Sequence, residues 1–419
     1  MIKAEEYALR REKLIELLDD GSLSIIFAGV GKIRSADENY DFAVNRNFYY
    51  LTGIEQENSV LMLVKSAGEV STYLFIDEKD EKVEKWTGLK LTAEEAREIS
   101  NIENVCLRSS FDGKLLAALD EKMTHFGHIN KVYLDLEKEI KIDECKSTRE
   151  FKAELNSKYP DLSIDNIHDY IMNLRAVKSP AEIELIKDAI HTTDIALRNV
   201  LSKMKTAHFE YNLRNIFEFT VKEDLNAGLA FHSIVASGKN TVILHYPNPV
   251  SKLNSGDLVL LDVGAAKSNY CADISRTYPL NGKFSEIQKK IYSIVLDCNK
   301  QTAKFIRPGI LLNEVKEFAL NYLAEECVAQ GLIESKDKIR DVYYHGVSHH
   351  LGLDTHDGMD INMKLSPGMV ITCEPGLYFK DLGIGVRIED DVLVTIDGSD
   401  VLSRDIIKEV NDIEKILRN

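Results

Sequence analysis

Short apolar runs bounded by polar and turn-forming residues recur through the first third of the chain. SIIF (24–27), SVLMLV (59–64), STYLFI (71–76) and KVYLDL (131–136) predict strands. Between them Thr92, followed three residues later by Glu95, makes a capping box that opens a helix, and 111–123 is amphipathic. Strands alternating with helices predict an α/β domain. Near residue 170 the pattern changes: Ser179 as N-cap, Pro180 at the first helical position and Glu182 begin a long helix, with Ile183, Ile186, Ile190 and Leu197 at helical spacing. Further helices fit 208–226, 285–305 (Ser285 with Gln288 as a capping box) and 313–330, closed by Gly331. From 229 onward the strand-like runs LAFHSIVAS, VILHY, DLVLLDVGA, MVITCEPG and GVRIEDDVLVT interleave with these helices, separated by turn signals such as SGKN and NSGD. That pattern predicts antiparallel sheet with helices packed on it, an α+β domain. The change of regime at 165–178 divides the chain into domains 1–168 and 169–419.

Composition adds limits. A length of 419 residues suits two domains, with no internal repeat and no low-complexity tract. Lys+Arg 52 against Asp+Glu 68 leaves a net charge of −16, which disfavours a nucleic-acid partner. No apolar run approaches the roughly 20 residues that span a bilayer, so no membrane role is expected. The N-terminus, MIKAEEYALRREKLIELL, carries charges throughout and no secretory pattern, so the expected location is cytoplasmic. Cys106, Cys145, Cys271, Cys298, Cys327 and Cys373 are dispersed without CxxC spacing and read as reduced thiols.

Candidate chemistry appears where charge interrupts apolar strands. Asp262 sits inside LVLLDVGA, and a lone carboxylate there carries a desolvation cost of several kcal/mol unless something positive meets it. Asp273 follows in YCADISRTY; the intervening AAKSNY has the length of a hairpin return, so the two acids are expected to face one another across paired strands. Glu374 ends MVITCE, and Glu389 lies in VRIEDDVLV. Taken alone, each acid reads more simply as a cap, a strand-end carboxylate or an arginine partner. Four in one domain exceed what Arg276 and Arg387 can neutralise, and a metal centre explains them economically. Of eleven histidines, four (His345, His349, His350 and His356) fall within HGVSHHLGLDTHD. His345 and His349 would share a face if that segment were helical, although its glycines argue against a steady helix. Two divalent cations would balance four carboxylates, with one neutral imidazole completing the set. Oxygen-rich ligation with one nitrogen suits Mn²⁺ and tolerates Co²⁺, Fe²⁺ or Zn²⁺. Such a pair readies a shared water for hydrolysis.

The blocks LLDVGA, ADISRT, HGVSHHLGLDTHD, TCEPGLY and GVRIEDDVLVT, in that order, resemble the metallopeptidases of the aminopeptidase P and prolidase family. NRNFYYLTGIEQENSVLMLV (45–64) resembles the N-terminal domain of aminopeptidase P, and LRAVKSPAEIELIKDA the helix that opens the catalytic domain. The resemblance implies a pita-bread catalytic domain behind a smaller α/β domain, two metal ions of the Mn²⁺ type, and removal of an N-terminal residue preceding proline by a metal-bridged hydroxide. It implies that Asp262 chelates one metal, that Asp273 and Glu389 bridge both, and that His349 and Glu374 bind the other. Glu374 also matches the proton acceptor, His245 and His356 match the histidines that bind substrate and stabilise the tetrahedral intermediate, and His345 matches a histidine of the substrate pocket. Arg387, two residues before Glu389 and so on its face of the strand, would hold a carboxylate or the His356 region in place, or else form a surface ion pair. Trp86 matches a tryptophan that contributes to the substrate site of a neighbouring subunit, against a plain packing role. Homo-oligomers, dimer or tetramer, are implied as well. Ser275 stands where the family has threonine and keeps the hydroxyl, while Cys271 either looks towards the metals or is a small buried residue.

An Xaa-Pro dipeptidase is the nearest rival; the amino-terminal region and Ser348 lean towards the aminopeptidase. Creatinase-like members lack the metal ligands, and methionine aminopeptidases lack the long preface. A catalytically silent binding protein of the same fold would be expected to have eroded the ligands retained here.

Overall fold

The computed structural model describes residues 2–120, 126–137, 146–358 and 362–418; Cys145 and the end of the amphipathic stretch 111–123 lie outside them. The chain forms two compact units, Ile2–Arg175 and Ala176–Asn419. No helix among the described residues is long and apolar enough to cross a membrane.

The first unit is built on a six-stranded sheet in the spatial order Asn104–Leu107, Glu69–Ile76, Val60–Ser66, Ser22–Phe27, Lys131–Leu134, Ser163–Asn166. Val60–Ser66 runs antiparallel to both neighbours, and the other pairings are parallel. The antiparallel hairpin closes through Ala67 and Gly68, both at positive φ, the two-residue turn whose twist matches paired strands. Leu23, Ile25, Met62, Val64, Phe75 and Val132 alternate along their strands and bury one face of the sheet with Phe111 and Leu155. Helix Ala93–Ser100 starts at the Thr92–Glu95 capping box.

In the second unit helices Pro180–Lys203 and Glu286–Phe305 begin at the Ser179 and Ser285 capping boxes. The acids ride on two long hairpins. In the first, Leu258–Val263 pairs with Ile274–Pro279, and after a break Ala265–Lys267 pairs with Tyr270–Cys271. The register is the same on both sides, with Asp262 opposite Ser275 and Ala266 opposite Cys271, so Gly264 and Asp273 stand opposite each other at the break. A side chain at Gly264 would begin 1.9 Å from the Ala272 carbonyl oxygen, so only glycine admits this close approach. In the second hairpin Cys373 pairs with Asp390, and beyond another break Gly376 pairs with Arg387. The shared register sets Glu374 against Glu389, two acids directly opposed, an arrangement that is unfavourable without a cation.

Two expectations are corrected, and the open geometry of the histidine segment is resolved. Asp262 faces Ser275 rather than Asp273: the tight turn at Ser268 and Asn269 sets the register, which leaves the two acids as diagonal neighbours on one face. The run VILHY is not a strand; its first residue, Val242, closes a 3₁₀ turn over Gly238–Val242, the rest finds no sheet partner, and Ile243 is half exposed. His345 and His349 do not lie on a helix. The histidine segment runs extended beside the second hairpin, with Leu351 N–H bonded to the Val370 carbonyl and Thr372 N–H to that of His349.

Candidate metal centre

The breaks in the two hairpins converge. Donor atoms of Asp273, His349 and Glu389 lie within 4.8 Å of one another. His349 Nε2 is 3.5 Å from Asp273 Oδ2 and 3.6 Å from Glu374 Oε1. Asp262 is tied to the same group through Arg387: the guanidinium donates to Asp262 Oδ2 at 2.6 Å and to Ser275 Oγ at 2.8 Å, and that hydroxyl donates to Glu389 Oε2 at 2.8 Å. Of the positions named from the sequence, Asp262, Asp273, His349, Glu374, Glu389 and Arg387 are thus in one connected cluster. Asp391 braces it from behind, its Oδ2 accepting the Asp273 N–H at 3.2 Å.

The charges do not balance within the chain. Burial and then the facing Glu389 carboxylate push both Asp273 and Glu374 well above the usual carboxylate range. Glu389 is pushed up to about 8 by burial and Asp262, against the opposing pull of Arg387. Mutual repulsion of this kind is relieved by cations, which displace the shared protons. The imidazole is poised accordingly. Burial and the neighbouring His356 push His349 down to about 4, keeping it neutral. Its Nδ1 lies 3.0 Å from the His350 carbonyl oxygen, to which it must donate, so Nε2 turns its lone pair towards the acids. Anionic oxygens and one oriented imidazole nitrogen form a donor set that fits a divalent ion.

The remaining candidates surround this cluster or lie elsewhere. His345 donates from Nδ1 to its neighbour's carbonyl and accepts the Tyr378 hydroxyl at Nε2, 2.8 Å away; burial and Arg387 push it down to about 3. The His356 ring stands 4.3 Å from that of His349, nearly perpendicular to it. His245 is exposed in a turn, and its proximity adds to the depression of both His345 and His356. Trp86 belongs to the first unit, on helix Glu81–Thr87, and is 90% exposed. The Cys271 thiol is buried against the carbonyls of Asn269 and Leu353.

Sequence reasoning missed Tyr378, whose hydroxyl accepts from Arg387 Nη1 at 3.0 Å and so links that arginine to His345. Strand parity was the available signal, since residues 374, 376 and 378 share a face. It also missed the buried pair of Lys178 and Asp357, which nothing local in the sequence connects.

Comparison with known proteins gives the same picture. The model of metallopeptidase family M24 matches residues 184–396, and that of the aminopeptidase P N-terminal domain matches 7–126. The Xaa-Pro aminopeptidase of Escherichia coli is 31% identical over 99% of this chain and 98% of its own length. A structure described as an aminopeptidase P from Bacillus anthracis superposes with a TM-score of 0.95 at 45% identity, covering 100% of this chain and 99% of that one. Aminopeptidase P from E. coli with the inhibitor Pro-Leu has a TM-score of 0.88 at 31% identity, covering 100% and 98%. Two family models in sequence, full-length relatives and a shared pita-bread architecture leave one conclusion: the chain belongs to metallopeptidase family M24, in its aminopeptidase P branch, with that branch's N-terminal domain ahead of the catalytic one.

Proposed function

We propose that this chain removes an N-terminal residue that precedes proline, with two divalent ions, Mn²⁺ in first place, held by Asp262, Asp273, His349, Glu374 and Glu389. The observation that carries the reading is the convergence of mutually repelling, buried carboxylates on a neutral, oriented imidazole. When bound, the ions supply Lewis acidity and lower the pKa of water.

The chain's own groups divide the remaining work. Glu374, its proton affinity raised by burial, takes the proton of the attacking water on a carboxylate oxygen. His245 and His356 hold the scissile carbonyl oxygen and the negative charge that develops on it. Arg387 keeps Asp262 and, through Ser275, Glu389 in fixed orientation. His345 lines the substrate pocket. Acidic surroundings suit the free α-ammonium of the peptide. An Xaa-Pro bond has no N–H to read, so shape recognition of the pyrrolidine ring replaces the usual hydrogen bond. The reading extends to a cytoplasmic homo-oligomer, with Trp86 serving a neighbouring subunit; the near-complete exposure of that ring supports it.

Metal-defined protein given Arg-Pro-Pro and Ala-Pro tests the proposal. Release of arginine from the tripeptide is expected. Cleavage of the dipeptide alone would make it an Xaa-Pro dipeptidase, and cleavage of neither with Mn²⁺ bound would make it a binding protein.

A further inference from the structure

Lys178 and Asp357, 179 positions apart, form an ion pair whose side chains keep only 1% and 2% of their exposure. Lys178 Nζ donates to Asp357 Oδ2 at 3.0 Å and to the Ala176 carbonyl at 3.3 Å. Both residues are also fixed through their backbones. Lys178 N–H bonds to the Gly368 carbonyl, ahead of strand Val370–Cys373 that leads to Glu374, and Asp357 N–H bonds to the carbonyl of His350. Between them, Gly352 is the residue that lets the pair close. A Cβ there would lie 2.3 Å from Asp357 Oδ2 and 2.9 Å from Lys178 Cε. His350, 1% exposed and with neither ring nitrogen hydrogen-bonded, packs beside the pair.

A buried ion pair is a poor device for stability alone, because desolvation offsets most of its attraction and apolar residues of similar volume often serve as well. What this one supplies is direction. Asp357 directly follows His356, one Cα–Cα step of about 3.8 Å away, and His350, which accepts its N–H, directly follows His349. Asp357 therefore closes the histidine loop through its backbone N–H on His350 and, through its carboxylate on Lys178, anchors that loop to the segment that opens helix Pro180–Lys203.

We propose that the Lys178–Asp357 pair is a positioning element of the catalytic site, setting the placement of His356 relative to His349. The inference rests on the peptidase reading above. Its test compares wild type with Lys178→Met, Asp357→Asn and the double variant Lys178→Met/Asp357→Leu. Thermal midpoint, bound metal per chain, the visible spectrum of the Co²⁺-substituted protein, and kcat and KM on Arg-Pro-Pro are measured for each. Lys178→Met should lower the midpoint and the double variant should recover it with wild-type metal content. The double variant's kcat should nevertheless stay down by about 10²-fold, the scale set by an ångström of misplacement, with KM little changed. Recovery of wild-type kcat along with stability, or a loss of kcat wholly matched by a loss of bound metal, overturns the proposal. If the double variant does not fold, Asp357→Asn decides, and wild-type kcat in it has the same meaning. Should the wild type itself leave Arg-Pro-Pro intact with metal bound, the peptidase reading fails; positioning then stands or falls on whether the Co²⁺ bands of Asp357→Asn move.

Discussion

Glu389 and Asp390 are neighbours in sequence, both buried, and their electrostatic fates are opposite. Glu389 faces Glu374, Asp262 and Asp273, and its carboxyl is pushed up to about 8. Asp390 points the other way, onto Arg276 at 2.9 Å and Lys408, and although burial pulls upward, those two cations hold it well below the usual carboxylate range. The first unit repeats the second pattern: Asp135 is buried yet held down, because His168 Nδ1 lies 2.8 Å away and Asn47 donates to it at 2.9 Å. Asp390 and Asp135 each have basic partners of their own, whereas Glu389 shares the one guanidinium of Arg387 with Asp262 and Glu374. The difference separates charge-matched carboxylates from a cluster whose excess negative charge a divalent ion would offset, something burial alone does not distinguish.

The comparison is broken most severely on the repelling side. Glu389→Gln or Asp262→Asn should lower Mn²⁺-dependent turnover of Arg-Pro-Pro by several orders of magnitude while leaving a folded protein; near-wild-type rates would sink the ligand assignment. On the charge-matched side, Arg276→Met should leave Asp390 with Lys408 as its remaining cation and lower unfolding free energy by about 3–5 kcal/mol in denaturant titrations. A change below the error of the measurement would mean the pair is dispensable. The smallest effect is one of sign. In metal-free protein Glu389 binds its proton more tightly folded than unfolded, about 8 against the ordinary 4.5, so stability should rise as pH falls through that window. With Mn²⁺ bound, protonation expels the metal, and stability should fall over the same descent. Thermal midpoints from about pH 8 to about pH 7, above the range in which the depressed histidines titrate in the unfolded chain, should therefore slope in opposite directions with and without Mn²⁺; parallel slopes would show that repulsion does not dominate the cluster.

Much of this was legible in one dimension. Ser179, Ser285 and Thr92 mark helix starts through bonds made within four residues, and the strands SVLMLV and STYLFI show in their own apolar runs, so local physics suffices. The acids that interrupt apolar strands were equally visible, as was their excess over the nearby arginines. The run VILHY misled because β-branched residues favour a strand only where a partner exists to pair with it.

By itself, then, the sequence determined the α/β and α+β characters, the change of pattern between two parts of the chain, and which strands carry interrupting acids, since composition and periodicity act over short range. Only the tertiary structure decided that Asp262 stands opposite Ser275 and Glu374 opposite Glu389, that Tyr378 links Arg387 to His345, and that Lys178 reaches Asp357. Strand register and buried pairings across more than a hundred residues are set by which surfaces close together, and no local preference encodes them.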